Sequence, residues 1–282
     1  MKSPRFKYGV LGAGAVGKSL IGRLPSKTRD LGPVAAVSLR VASRIANALR
    51  AGHPVRSADE LNEASVILFH SPPDQAQALL EMLDAAAIHW SGRSLIFCDC
   101  EDAPSARARF QARGAATASA RQFGIPGRIA IEGNGSALAA VHRMAREWKL
   151  KAVEISQGAT DAFDTAVTLG CSAITPLIDS TAALLRGAGI RDAEASRIAA
   201  EIFQQTASDY AHSGKQSWAW YTREPEAARL QAQLAAAGAN LEPVLRELLC
   251  YGLDTFAKYP ELGSALKRLS SCKLLPGDKH KK

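Results

Sequence analysis

The sequence predicts a doubly wound parallel α/β sheet in its first half, followed by an all-α second half. Three observations carry that prediction. An apolar strand runs into a G-x-G-x-x-G loop at "YGVLGAGAVGKSLIGRL", Tyr8 to Leu24. Short apolar runs then alternate with helical patterns as far as Ile155, and strand-like runs stop after "EISQGATDAF". Strands alternating with helices imply a parallel sheet covered on both faces. The change of character near Gln157–Thr160 divides the chain into residues 1–157, residues 158–275 and a basic tail, 276–282, that contains "KHKK".

In order along the first half, strands are expected near Arg5–Leu11, Val34–Leu39, Val66–His70, Leu95–Asp99, Thr117–Gln122, Arg128–Glu132 and Ala152–Ile155. Helical spacing lies between them at Val16–Leu24, Ala42–Ala51, Asp74–Asp84, Ser105–Arg113 and Ser136–Trp148. The second half reads as Ala/Leu-rich helices over Asp161–Arg186, Asp192–Ala211, Pro225–Ala237, Leu241–Tyr259 and Leu262–Leu269.

At 282 residues the chain is long enough for one large domain or for two ordinary ones, each with its own core. Net charge is +8, with three of the positives in the terminal "KHKK"; no nucleic-acid reading module accompanies the excess, so nucleic-acid binding is not expected. The five cysteines are odd in number and scattered, which argues against a disulfide framework and for a reducing compartment. Cys98 and Cys100, spaced C-x-C on an expected strand, should point the same way and pack in the core, and no metal site is expected. No run of 18 or more apolar residues and no secretory h-region appear, so a cytoplasmic protein without a membrane span is expected.

The glycine loop is the most specific feature. A strand before it and a helical pattern after it are the context that turns G-x-G-x-x-G into a dinucleotide-binding fingerprint. Gly12 permits the tight turn, and Gly14 admits a pyrophosphate close to the backbone. Gly17 lets the following helix pack on the strand, and the intervening Ala15 and Val16 belong to the same cradle. The N-terminus of that helix supplies free N–H groups and partial positive charge to the phosphates. An NAD site places an acid at the end of the second strand, about 20 residues on. Here "PVAAVSLRVASR" offers Ser38, Arg40, Ser43 and Arg44 and no acid. A guanidinium pairs with a 2′-phosphate where a carboxylate repels it, so NADP is the expected cofactor; the same absence counts against S-adenosylmethionine. The alternative for Arg40 is a solvated charge. At "VILFHSPPD" the next strand ends on His70. Pro72 and Pro73 fix the backbone there and are placed to wall the cofactor's nicotinamide ribose, with Ser71 and Pro72 as candidate cofactor contacts. The alternative is an ordinary helix start, with Asp74 favouring its N-terminus. His70 itself reads as a strand residue rather than a catalyst.

In the second half, "DAFDTAVTLGCSAITPLIDSTAALL" is apolar over most of its surface and reads as a central, buried helix kinked by Pro176. Asp164, Thr168, Ser172, Thr175 and Asp179 nevertheless fall within an arc of about 80° on a regular helix. A stripe of small polar groups without Lys, Glu or Arg suggests a face packed on cofactor and substrate, or a hydrogen-bonding seam between helices. Asp164, Thr168 and Ser172 are the candidate catalytic residues, with Lys215 as a further possible donor. Trp218, Trp220 and Tyr221 in "SWAWYTREPE" suit an interface, a pocket lining or local core.

The order of elements resembles the superfamily of pyrroline-5-carboxylate reductase, ketopantoate reductase and 6-phosphogluconate dehydrogenase. It is more closely similar to an uncharacterised bacterial group that joins a Rossmann-like domain to a helical domain of unknown function. The resemblance rests on "GVLGAGAVGKSL", "VSLR", "ILFHSPPD", "IAIEGNGSA" and "AFDTAVTLGCSAITPLIDSTAALLRGAGI" and covers most of the chain. It implies NADP binding and a homodimer formed through the helical domain. The chain departs from the group where an aromatic-His pair and an Asn are expected, carrying Phe163-Asp164 and Ser172, and "FGIPGR" replaces a His-Pro segment. No lysine lies between Asp161 and Leu185, where the dehydrogenase branch has its proton donor. Two functions follow: an NADP-dependent oxidoreductase acting on a small carbonyl or imine substrate in an interdomain cleft, or a dinucleotide-binding sensor or scaffold without turnover.

Overall fold

The computed structural model describes residues 6–24, 30–100, 104–218 and 227–256. Eight strands form one sheet: β1 (Phe6–Gly12), β2 (Leu31–Ala35), β3 (His53–Pro54), β4 (Ala64–His70), β5 (Ser94–Cys98), β6 (Ala116–Gln122), β7 (Arg128–Gly133) and β8 (Lys151–Glu154). Their order is β3-β2-β1-β4-β5-β6-β7-β8, with only β6 and β7 antiparallel to one another. The first six strands therefore follow the 3-2-1-4-5-6 order of a Rossmann sheet, which fits the doubly wound parallel sheet that the sequence predicts. Helices α1 (Leu39–Leu49), α2 (Pro73–Ala85), α3 (Pro104–Ala112) and α4 (Gly135–Glu147) connect and cover it.

Period-two alternation places the core on both faces. Tyr8, Val10, Val66, Leu68 and Ile96 join α1 and α4 in one buried cluster. Leu11, Ile67, Phe69, Leu95 and Phe97 join α2 and α3 in the other. Such strands bury both faces and read as continuous apolar runs. The 3-10 turns of Ala58–Glu63, opened by a Ser57/Glu60 capping box, were not legible as an element.

Two local expectations are corrected. The residues after the glycine loop form no α-helix: Val16–Lys18 and Leu20–Arg23 are 3-10 turns, broken at Ser19, whose backbone is extended at φ −80°, ψ 179°. A cradle backed by an aligned helix dipole is thus absent. Cys98 and Cys100 do not point the same way, because β5 ends at Cys98 and Asp99 turns left-handed at φ +48°. Alternation stops there, and the two thiols enter opposite buried clusters. Burial pushes the Cys98 thiol well up, with Cys100 and Asp99 adding to the effect, so it packs rather than reacts.

The chain parts into two compact units, Met1–Gly170 and Cys171–Lys282. The division falls inside one long helical run: α5 (Thr160–Thr168), a π turn (Leu169–Ala173) and α6 (Ile174–Gly187). Pro176 has no N–H, and its ring crowds the carbonyl four residues back, at Ser172. The widened turn just before it is the structural response, with the Thr175 hydroxyl donating to Cys171 O at 3.1 Å. This run is not the buried central helix expected. Only 6% of its most apolar stretch is buried, and it is long and apolar enough to cross a membrane by length and composition, against the expectation of none. Among the described residues nothing covers most of its apolar surface.

In the second unit, α6 pairs with α7 (Asp192–Ser213) through a seam of small residues, Ala182, Ala195 and Ala199. Among the described residues two more helices follow, α8 (Ala227–Ala236) and α9 (Gly238–Phe256). Trp218 serves as local core: a Cβ on Gly252 of α9 would lie 2.5 Å from its indole. Trp220, Tyr221, the helix expected at Leu262–Leu269 and the basic tail lie outside the described residues.

Candidate functional site

The strand order reverses between β1 and β4, and ligands of open α/β sheets bind at the carboxyl ends of such a pair. Here Gly12 pairs with His70, and Ala13 N donates to His70 O at 2.9 Å, so the glycine loop is pinned to the end of β4. Gly14 has φ +67°, a conformation open mainly to glycine, and a Cβ on it would lie 3.1 Å from Pro72 Cδ. Pro72 thus packs against the loop at Gly14. Ser71 is buried, and its hydroxyl donates to Pro72 O at 2.9 Å, which ties it to the local turn.

Hydrogen bonding within the loop shows what it can hold. Ala13 N, Lys18 N and Ser19 N donate to backbone carbonyls. Ile21 N donates to Ser19 Oγ and Leu20 N to Asp99 Oδ2. Among the described residues, the amides of Gly14, Ala15, Val16 and Gly17 have no acceptor. Four successive N–H groups without acceptors are a candidate anion cradle made from backbone alone. Gly14, Ala15 and Gly17 are exposed, whereas the Val16 side chain is in the core, so Val16 contributes only its main chain.

Gly17 does not have the packing role expected of it. A Cβ there would meet only Ala48 Cβ, at 3.5 Å; the close approach belongs to Gly22, whose Cβ would lie 2.1 Å from Gly17 O. Residues Gly12 to Ser19 also spell G-x-x-x-x-G-K-S, the phosphate loop of nucleotide hydrolases, which the strand-and-helix reading passed over. The Ser19 hydroxyl, which would hold magnesium in such a loop, is buried, donating to Val16 O and accepting from Ile21 N. The structure therefore matches a diphosphate cradle better than a magnesium–triphosphate site, and it leaves Lys18 as an exposed cation beside Gly17.

At the end of β2, Ser38 caps α1, its hydroxyl accepting from Val41 N at 3.3 Å. Arg40, in the first turn of α1, is exposed, and among the described residues no carboxylate lies within 4 Å of it or of Arg44. A guanidinium without an internal partner at this strand end fits a 2′-phosphate.

Asp99 and Arg121 are the residues that sequence reasoning missed. Asp99, half-buried at the end of β5, accepts from Leu20 N (2.6 Å), Gln122 N (2.8 Å) and Gln122 Nε2 (3.0 Å). Arg121, next to Gln122 on β6, forms an ion pair with Asp164 of α5 at 2.8 Å. Two further contacts hold the start of α5 on the sheet. The Thr160 hydroxyl donates to Glu132 Oε2 at 2.6 Å, and Phe163 meets Phe123 edge-on with centroids 5.0 Å apart. The only sequence signal was position, since both residues sit at strand carboxyl ends. His70 Nδ1 lies 2.7 Å from Cys98 O; a carbonyl can only accept, so Nδ1 carries the proton and His70 is a strand-end tie.

Of the three catalytic candidates, Asp164 and Thr168 lie on α5 and Ser172 lies inside the π turn. All three are exposed, and the wide turn breaks the regular spacing that put them on one arc. Lys215 is exposed in a 3-10 turn after α7. Among the described residues no cluster of His, Cys, Asp or Glu could hold a metal ion.

No protein-family model and no curated protein sequence matches the chain. Its fold matches solved structures along nearly its whole length. An imine reductase from Aspergillus terreus, in complex with NADPH4 and a dibenzazepine, aligns at 15% identity and TM-score 0.63, covering 94% of both chains. An imine reductase from Bacillus cereus aligns at 14% identity and TM-score 0.62, covering 94% of this chain and 99% of that one. One from Myxococcus stipitatus, in complex with NADP+, aligns at 14% and 0.57, covering 93% and 99%. At such identities the likeness establishes the fold: a Rossmann domain followed by a helical part.

Proposed function

We propose that this chain is an NADP(H)-dependent reductase of small imine or carbonyl compounds. One observation carries the reading: the Gly14–Gly17 amides stand without acceptors at the switch point of a 3-2-1-4-5-6 sheet, with no acid at the end of β2. The Gly14–Gly17 main chain and Lys18 would take the pyrophosphate, and Ser38 and Arg40 the 2′-phosphate end. The reductases of the same fold that are solved with NADPH4 or NADP+ support this assignment.

When bound, the cofactor supplies hydride; the protein must orient the acceptor and handle one proton. Asp164 would take the latter role: its Oδ2 is engaged by Arg121, and Oδ1 would be the oxygen that serves the nitrogen or oxygen of the acceptor. Thr168, one turn on, is a second polar contact, and Ser172 a third from the π turn.

A second copy of the chain is the proposed cover for the apolar helices. Leu169, Leu184, Ile202, Tyr210, Val244, Leu248 and Tyr251 are exposed large hydrophobics in the helical half, against Val37 and Ile125 in the sheet half. Exposed apolar area of that kind marks an interaction surface.

The deciding experiment is titration with NADPH and NADH, followed by NADPH oxidation with cyclic imines and with ketones, with and without added amine. Tight NADPH binding with turnover on one of these classes is expected. Binding without turnover would favour the sensor reading, which the absent lysine on the long helix supports; absence of NADPH binding would end both.

A further inference from the structure

We infer that Asp99 is a positioning residue for the cofactor loop, holding the second 3-10 turn so that the Gly14–Gly17 amides alone face the phosphates. The inference rests on the NADP(H) reading above and adds a residue that neither the glycine fingerprint nor the fold comparison points to.

The turn Leu20–Arg23 has two leading amides, and both are occupied from inside. Ser19 Oγ takes Ile21 N at 3.2 Å, and Asp99 Oδ2 takes Leu20 N at 2.6 Å. The first contact is local and moves with the turn. The second crosses 79 residues of sequence and fixes the turn to the end of β5. In most Rossmann domains the helix after the glycines is long enough to be held by its own packed face. Here that segment is two short turns, with too few internal bonds to hold their own shape. A long-range anchor has to do what the helix does elsewhere.

Asp99 is built for that task. Its φ of +48° turns the backbone out of β5, and Asp is among the few residues with a side chain that accept this conformation readily. Its N–H donates to Ala120 O at 2.9 Å, which fixes the main chain. Gln122 N and Gln122 Nε2 then orient the carboxylate from the β6 side. Two oxygens thus accept from three donors, a set that only a carboxylate can satisfy. A carboxamide at this position has one oxygen and would turn its NH₂ toward either Leu20 N or Gln122 N. A negative group so close to the cradle would weaken phosphate binding if it were unpaired; with three donors its lone pairs are occupied and it acts as a brace.

Asp99→Asn is the informative variant, because Asn also accepts the left-handed backbone and keeps the side-chain size. Three readouts separate the possibilities. Hydrogen exchange of the ligand-free protein should show faster exchange at the Leu20 or the Gln122 amide, whichever the new NH₂ faces, which requires no assumption about the cofactor. NADPH affinity should fall about tenfold, as expected for losing one charge-assisted hydrogen bond that orders the loop. Affinity for 2′-AMP, which carries the 2′-phosphate but no pyrophosphate, should stay within about twofold. A merely structural role would lower both affinities together or neither, and either result overturns the inference. Should Asp99→Asn fail to fold, Gln122→Ala, which removes one donor and leaves the Leu20 contact, should give a smaller loss with the same NADPH/2′-AMP split; no split there also overturns it. A wild-type protein that binds no NADPH but shows the exchange effect would instead refute the cofactor reading and leave the brace standing as structure.

Discussion

Asp164 Oδ2 accepts from Arg121 Nη1 at 2.8 Å, joining the second turn of α5 to the penultimate residue of β6. The aspartate is half-exposed and the arginine largely covered, so the pair stabilises the fold only weakly, by about 0.2–1 kcal/mol. A role in proton handling is worth far more, on the order of 10²–10⁴ in rate. Asp164→Asn should therefore cut kcat by on the order of a hundredfold or more while the melting temperature and the NADPH Kd scarcely move. Steady-state kinetics beside thermal melts and a cofactor titration check this. An unchanged kcat would reduce the pair to a helix tether.

Arg40 is exposed, with no carboxylate within 4 Å among the described residues, so its removal leaves no buried charge behind. Any loss on truncation belongs to the ligand. A charge-assisted hydrogen bond is worth about 1.5–3 kcal/mol, so Arg40→Ala should weaken NADPH about ten- to hundredfold and leave NADH nearly unaffected. Arg40→Asp should move the preference toward NADH. Equal losses for the two cofactors would show that no 2′-phosphate sits there.

These two residues also show what the sequence could and could not reveal. Arg40 was legible as a candidate because the role proposed for it depends on its offset from the glycines along one crossover, and offsets are written in the chain. Asp164 was legible as a polar group on an apolar helix, but its partner was not: Arg121 is 43 residues away and meets it only once the sheet is formed. Asp99 was hidden for the same reason and for another, since a left-handed Asp after a strand reads like any turn residue. The parallel sheet followed from strand–helix alternation, whereas the two-residue edge strand His53–Pro54 was too short to leave a pattern. The helix expected after the glycines failed because its apolar spacing is also satisfied by two 3-10 turns, which bury Val16, Leu20 and Ile21 in the same core. The long apolar helix failed differently: an apolar pattern gives the composition of a face and does not tell whether this chain buries it.

The glycine loop offers a sharp test of that revised local structure. In a standard fingerprint the third glycine is the close-packed one. Here a Cβ on Gly17 would meet Ala48 Cβ at an ordinary 3.5 Å, whereas one on Gly22 would lie 2.1 Å from Gly17 O. Gly17→Ala should therefore be tolerated in stability, within about 0.5 kcal/mol, as an uncrowded surface change is. Gly22→Ala should open the turn and cost about 1–3 kcal/mol, as overpacking does. Chemical denaturation of the two variants decides; the reverse order would restore a regular helix after Gly17.

Glu132 gives the fold its acid sensitivity. It is buried, and burial alone would raise its carboxyl. The Thr160 hydroxyl, the Gly158 amide and the Arg107 guanidinium outweigh that and hold it below the ordinary glutamate value. A carboxyl depressed in the folded state contributes stability that is complete above its unfolded value, about 4.3, and is lost as pH falls through the lower, folded one. Glu132→Gln removes the charge opposite Arg107 at all pH values, and breaking a buried pair costs about 3–5 kcal/mol. The variant should thus be much less stable than the wild type at neutral pH, and the gap should narrow only below about pH 4. Urea unfolding midpoints measured from neutral to acid pH give the comparison directly. Because Thr160 opens the helix that carries Asp164, the same substitution should also lower kcat at neutral pH before the protein unfolds; a gap that stays constant with pH would mean that the carboxylate is not what ties α5 to the sheet.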